Sequence, residues 1–371
     1  MERIKISTLY FIIVILHSVS AAESLPRIVW QKFHNHGFDD QGYSIAVEKL
    51  PQGTGNIYVA GTSYNGRNND CFLLKYNSSG DTVWTRTYDG GDNDYARDIA
   101  VDFSGNIYLA GTSYNKNNDC LILKYNNKGN LLWQRTYDAG YNYPESGEGI
   151  DIDPEGNIYV AGTSFNGKNR DYLVMKYTQD GDTIWIRTYD SGNDDYTKDI
   201  KTDKEGNVYV TGYSWLNNID YLTLKYNPRG ELIWAKRYDS KGIDEAKGIA
   251  VYQDSIYVAG SSSGECFTIK YDSRGNVLWT RRYNSGYGDS PEDITVDSKG
   301  NIYITGASSN MKDSDCLVVK YTPEGNVVWA QKWDNGSWER GCGIAISEEG
   351  SIFITGYAWR ENMDCFVIKY R

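Results

Sequence analysis

Residues 98–137 read DIAVDFSGNIYLAGTSYNKNNDCLILKYNNKGNLLWQRTY. The stretch holds four short runs, DIAVD, NIYLAGTS, DCLILKY and LLWQRTY, each 5 to 8 residues long. β-Branched and aromatic residues fill the runs, and Gly, Asn, Asp and Ser bound them. That is the pattern of four strands, A to D. Asp102 to Asn106, around Gly105, joins A to B, and Asn126 to Asn130, around Gly129, joins C to D. In each turn the glycine supplies a left-handed backbone position and the Asn or Asp bonds the turn amides. A–B and C–D are therefore expected as tight hairpins. The B–C and D–A connections are longer, polar and variable.

The unit recurs along the chain. The B-strand glycine returns as Gly61, Gly111, Gly162, Gly212, Gly260, Gly306 and Gly356. The D-strand tryptophan returns as Trp30, Trp84, Trp133, Trp185, Trp234, Trp279 and Trp329. A period of about 50 residues with four strands per repeat is a β-propeller blade. The first D strand, with Trp30, precedes any A strand, and the last repeat, Gly343 to Tyr370, has no D strand of its own. The N-terminal strand is thus expected to complete the last blade and leave no free sheet edge. The fold class is all-β: a seven-bladed propeller of four antiparallel strands per blade, over residues 23–371.

This pattern, an IAVD-like strand, GNIYVAG, then D-(C/Y)-x-x-x-K-Y-x-x-x-G-x-x-x-W-x-x-R-Y, resembles the bacterial β-propeller repeat (SBBP-type) family. The resemblance covers nearly the whole chain after residue 22. It implies a secreted or surface propeller and no particular activity, because propellers host unrelated functions. Cys stands after the strand-C acid in five copies (Cys71, Cys120, Cys266, Cys316, Cys365), where Tyr172 and Tyr221 keep the residue associated with the family.

Residues 1–22 read as a secretory signal peptide: Arg3 and Lys5, an apolar run from Ile6 to Leu16, then small residues to Ala22. No Cys follows the run, so no lipid anchor is expected, and no later run approaches a membrane span. The protein is expected outside the cytoplasm, secreted or periplasmic. A net charge of −11 argues against nucleic acid or an anionic membrane as partner. A monomer without cofactor is expected. Five of the six cysteines occupy one slot on different blades. Facing sheets lie ~10 Å apart and a disulfide needs Cα atoms within ~7 Å, so these five should not pair. Cys342 stands outside the slot.

Two slots look like chemistry. An acid opens strand C in every copy (Asp70, Asp119, Asp171, Asp220, Glu265, Asp315, Asp364), and a lysine follows five residues later, from Lys75 to Lys369. Equivalent positions in different blades are too far apart to share an ion. The acids are expected to bond B–C loop amides, and the lysines to pair with Asp102, Asp153, Asp203 and Asp297 of the A–B turns. Strand D repeats Trp-x-(Arg/Lys)-x-Tyr, three side chains on one face, a cation–π ladder. The C–D turn resembles those of quinone-binding propellers and Asp-box sialidases. It departs from the Asp box because Gly80 lies four residues before Trp84. After residue 22 the only histidines are His34 and His36, so neither a Ser-His-Asp site nor a His-rich metal site is expected. The acidic D–A loops, Asp92 with Asp94 and Asp194 with Asp195, lack the regular alternate ligands of a calcium loop. No catalytic or metal-ligating set is assigned.

One feature varies by blade. The residue three after the B-strand glycine is Tyr64, Tyr114, Phe165, Trp215, Ser263, Ser309 or Trp359. The five aromatics fall on contiguous blades, and D–A loops of the same face add Tyr95, Tyr143, Tyr196 and Trp338. Asn65, Asn68, Asn69, Asn117 and Asn118 stand beside them. Rings that stack, with amides and carboxylates that orient, suit a glycan or a protein partner. The competing reading folds these rings down over their own blades. The functional expectation is an exported, non-enzymatic binding or scaffold protein using the B–C/D–A loop face. The alternatives are a polysaccharide hydrolase or lyase using loop carboxylates, and a part of an envelope assembly.

Overall fold

The computed structural model describes residues 23–48, 53–115, 117–141 and 143–371. The signal peptide expected at 1–22 lies outside the described residues. Twenty-eight strands form seven four-stranded antiparallel sheets, and among the described residues there is no helix. The blades run Asp40–Tyr88, Asp94–Tyr137, Ser146–Tyr189, Asp195–Tyr238, Asp244–Tyr283 and Asp289–Trp333, and the seventh is Glu339–Tyr370 with Ile28–His34 as its outer strand. That N-terminal strand pairs antiparallel with Met363–Tyr370, Trp30 opposite Lys369 and His34 opposite Cys365. Below it, Arg27 and Arg371 exchange both backbone bonds, at 2.8 and 2.9 Å.

A bulge in strand A explains the glycine slot. The A–B register slips once in each blade, as between Ala96 and Asp98 in the second. The slip carries a strand-A carbonyl over the facing B-strand residue. A Cβ added to Gly111 would lie well inside 3.0 Å of Tyr95 O, and Gly61, Gly162, Gly212, Gly260, Gly306 and Gly356 each meet the equivalent carbonyl. Only glycine tolerates that approach.

The core lies between blades. Strand C is covered on both faces, so Cys71, Phe72, Leu73 and Leu74 are all buried, and the run is continuously apolar rather than alternating. Each cluster joins neighbouring blades, as Leu109, Leu121 and Leu123 of the second pack with Tyr58 and Leu73 of the first. All six cysteines are free, and the five in the slot are buried. Their small size suits a close neighbour: a Cβ on Gly147 of the third blade would lie 3.0 Å from Cys120 Sγ. Tyr172 and Tyr221 use the same slot to reach the next blade, donating to Leu222 O at 2.9 Å and Phe267 O at 3.3 Å.

The repeated polar slots are inter-blade fasteners. Lys75 Nζ and Trp84 Nε1 both donate to Asn127 O in the next C–D turn, at 3.0 and 3.3 Å, and Arg86 Nε donates to Gly129 O at 2.8 Å. Lys124, Trp133 and Arg135 repeat this on Gln179 and Gly181. The expected lysine partners are therefore corrected. Lys176 approaches Asp153 at 3.7 Å, but the other A–B turn aspartates fold back on their own turns, as Asp102 does on Asn106 and Tyr108. The lysine reaches past its own turn to a neighbour's carbonyl. The cation–π ladder is half of what was expected: Arg86 lies 5.1 Å from the Trp84 ring centre, its Nε and Nη2 donate to Gly129 O and Lys128 O of the next blade, and its Nη1 donates to Thr85 O of its own strand.

Candidate functional site

The B–C and D–A loops share one face and are tied together by backbone. Tyr64 N donates to Asp39 O, Tyr114 N to Asn93 O, Trp215 N to Asp194 O and Trp359 N to Trp338 O, all at 2.8 or 2.9 Å. This tie holds the variable rings over the rim of their own blade. Their surroundings then differ. Trp215, Trp359 and Trp338 stand 53%, 46% and 63% exposed, and Tyr114 is exposed at 38%. Phe165 is covered by Tyr143, stacked at 4.1 Å. Tyr64 meets Phe38 edge-on at 5.8 Å, and Tyr196 stacks on Tyr213 at 5.0 Å. Tyr95 and Tyr196 each lie under a guanidinium, Arg97 and Arg170 respectively.

Three depressions open on this face. One of about 370 Å³ brings Tyr64 and Tyr95 together with Asn69. One of about 270 Å³ brings Tyr95 and Tyr196 together with Arg170 and Glu148. The largest, about 650 Å³, lies over blades five to seven, where Ser309 and Gly264 leave room, and its walls include Met311, Trp338, Tyr357 and Met363. Of the expected ring residues only Trp338 lines it. The widest opening thus lies where the aromatic series is interrupted.

Outside the second blade, the strand-C acids take side-chain partners rather than the loop amides expected for them. Asn65 Nδ2 donates to Asp70 at 2.9 Å, while Asn65 Oδ1 accepts the loop amides of Arg67 and Asn68. Asn166 does the same for Asp171. In blades four, five and seven a guanidinium answers the acid: Arg237 on Asp220, Arg282 on Glu265 and Arg360 on Asp364.

Sequence reading missed a second set of acids. Asp40, Asp94, Glu145, Asp195, Asp244, Asp289 and Glu339 open strand A, and all are buried. Each aspartate whose loop is hydrogen-bonded closes it four residues back, as Asp195 does by accepting Ser191 N and Ser191 Oγ at 2.8 Å. The signal was present: an acid recurs four residues before each bulge-slot residue, from Ser44 to Gly343. Glu339 is 2% exposed, and burial pushes its carboxyl up to about 7, with Asp334 and Asp315 adding and the amides of Asn335 and Ser337 opposing. Folded protein therefore keeps this proton where the unfolded chain releases it. Stability on this account is full below the unfolded value near 4.5 and is lost as pH rises through about 7. Glu339→Gln is expected to narrow the loss of unfolding free energy between pH 5 and pH 8 by about 2 kcal/mol, read from melts at both pH values. An unchanged slope would refute it.

The axis carries a third polar arrangement. The residue after the bulge is Asp98, Asp199 or Asp293 in blades two, four and six, Gly149, Gly248 or Gly343 in blades three, five and seven, and Ser44 in the first. Each aspartate accepts an amide of its own strand and one of the next blade: Ile99 and Ile150 at 2.8 Å, Ile200 and Ile249 at 2.7 and 2.9 Å, Ile294 and Ile344 at 2.7 and 2.9 Å. Each glycine lets the following blade in, since a Cβ on Gly149 would lie 3.0 Å from Asp199 Cα. Ser44 Oγ donates to Asp98 at 2.6 Å. Lys201 Nζ sits on Asp199 at 2.8 Å. Burial works against its charge, but Asp199, Asp98, Asp151 and Asp293 outweigh that and raise its pKa. A channel of about 320 Å³ runs past this cluster.

Fold and site together define a β-propeller with a variable loop face. The chain carries SBBP beta-propeller repeats: that family matches residues 84–118, 184–220 and 278–310. No curated protein matches the chain. Among solved structures it is similar to a gluconolactonase from Xanthomonas campestris, at 10% identity and TM-score 0.48, covering 88% of this chain and 98% of that one. It is also similar to a domain of BT3049 from B. thetaiotaomicron, described as the extracellular domain of a hybrid two-component system. There the identity is 15% and the TM-score 0.52, over 88% of this chain and 39% of that one. At such identities the likeness is one of fold. No helix of the described residues is long and apolar enough to cross a membrane.

Proposed function

We propose that this is an exported recognition protein that binds a polypeptide ligand in the loop-face depression over blades five to seven. The observation that carries the reading is that depression: about 650 Å³, with Met311, Trp338, Tyr357 and Met363 on its walls and Arg340, Lys312, Asp313 and Glu339 at its polar edges. Met311 and Trp338 are 87% and 63% exposed. Large apolar side chains left open inside a concavity with a charged rim are the usual makings of a protein-binding site. Export is supported by the basic, apolar and small-residue order of residues 1–22.

A glycan ligand is the second reading, favoured by the exposed Trp215 and Trp359 rings of the same face. A glycosidase reading has less support. The loop-face acids held near neutral pKa, Glu145 and Glu339, are 1% and 2% exposed, and a general acid must reach its substrate.

Residues 23–371 on peptide and glycan arrays test the proposal. Peptide binding is expected, and Trp338→Ala with Met311→Ala is expected to weaken it at least tenfold, about 1.4 kcal/mol. Trp215→Ala, on blade four, should leave peptide binding unchanged. Loss with Trp215→Ala and none with the pair would remove the site from blades five to seven. Binding by glycans alone would leave the second reading.

A further inference from the structure

The carboxylates of the loop face meet at blade junctions. The strand-C acid, the aspartate that opens the D–A loop and the strand-A acid of the next blade bring one oxygen each within 4.8 Å of the others: Asp70, Asp89 and Asp94; Asp119, Asp138 and Glu145; Asp171, Asp190 and Asp195; Asp220, Asp239 and Asp244. Like charges so close need an answer. The chain supplies different answers in different blades. At the fourth junction Arg237 binds Asp220, and Ser240 donates N–H and Oγ–H to Asp244 at 2.7 and 2.6 Å. At the third, Asn166 and Asn169 donate to Asp171, and Ser191 donates to Asp195.

The second junction departs from both patterns. The strand-D position held by Arg237 is Thr136 here, and the loop position held by Ser240 is Ala139. Among the described residues no Lys or Arg nitrogen comes within 4.0 Å of Asp119, Asp138 or Glu145. Glu145 is 1% exposed, and among the described residues neither of its oxygens has a hydrogen-bond partner. The amides of Phe165 and Ala139 point towards it without closing a bond of ordinary geometry. One of its carboxylate oxygens instead lies within 4.8 Å of an oxygen of each of the other two acids. A buried, unpaired carboxylate facing two others is completed either by a proton, as at Glu339, or by a cation.

We propose that Asp119, Asp138 and Glu145 bind a divalent cation of the calcium type at the junction of the second and third blades. The donor set is all oxygen, which selects a hard cation. Three carboxylates converging directly suit calcium, which accepts many protein oxygens, better than magnesium, which keeps most of its waters. The cation would join strand C of one blade to strand A of the next, whereas the guanidiniums at other junctions bind the strand-C acid from within its own blade. It would fasten the ring rather than act on a substrate.

The experiment is calorimetric titration of chelator-stripped residues 23–371 with calcium chloride, beside thermal melts. Heat of binding is expected, with Tm raised by about 5 °C at a hundredfold excess over Kd. Glu145→Gln should abolish both. Asp138 is exposed, so Asp138→Asn should fold normally and weaken binding at least tenfold. Asp239→Asn, at the junction where Arg237 already answers, should leave the calcium response intact. Magnesium at the same concentration should give a smaller rise. Absence of any calcium response, or a response that survives both Glu145→Gln and Asp138→Asn, would overturn the proposal.

Discussion

Gly111→Ala is expected to lower the unfolding free energy by about 3 kcal/mol or more. The added methyl falls on Tyr95 O, Tyr95 C and Ala96 Cα, all backbone atoms of the bulged strand. No side chain can swing aside, so the bulge itself must move, and overpacking relieved only by backbone shifts is the costly kind. The axis depends on that bulge, because Asp98 sits immediately after it and holds Ile150 of the third blade. A Tm lower by about 6 °C or more is expected. Gly140→Ala is the comparison. Nothing lies within 4 Å of its added Cβ, and only its φ of +85° opposes the change, so about 1 kcal/mol is expected. Equal effects at the two sites would show that close approach does not decide the slot.

Removing residues 23–35 is expected to do more. The strand they contain gives the seventh blade its outer edge through six register pairs. Phe33 packs against Trp333 at 6.1 Å, and Trp30 lies 6.4 Å from Tyr76 and 6.1 Å from Phe353, so one strand touches the sixth, first and seventh blades. Two aromatic side chains and a ladder of backbone bonds are worth more than about 5 kcal/mol, a large part of the stability of an ordinary domain. The strand Met363–Tyr370 would become an open edge, ready to pair with another molecule. Early elution from a sizing column and a melt lost or broadened are the expected results. A monomer that melts within about 2 °C of the parent would show that the ring holds without its closing strand.

Blade number, strand order and closure were legible because they depend on local pattern. Gly105 and Gly129 mark turns whatever surrounds them, and Trp30 before any A strand dictates the closing partner. Side-chain partners were less legible because they lie one repeat away. Lys75 and Trp84 share a carbonyl at Asn127, which no reading within a repeat singles out. The alternation of aspartate and glycine along the axis, Asp98, Gly149, Asp199 and Gly248, stands in the sequence but was not singled out there. Its meaning appears only when successive blades stand side by side. The aromatic series was legible as a list of positions and not as a surface. Tyr143 covers Phe165 and Phe38 meets Tyr64 from other loops, while Ser309 and Gly264 create an opening by being small.

The paired bonds of Arg27 and Arg371 have a consequence for presentation. Both ends of the ring leave at one point on the outer rim of the seventh blade, beside the turn end of its last two strands. The loop face lies at the opposite end of those strands, beyond His34 and Met363. A support, linker or second domain attached at either end therefore sits behind the ring. The loop face is displayed outward, and an immobilised sample tethered through either end offers the same side to whatever flows past.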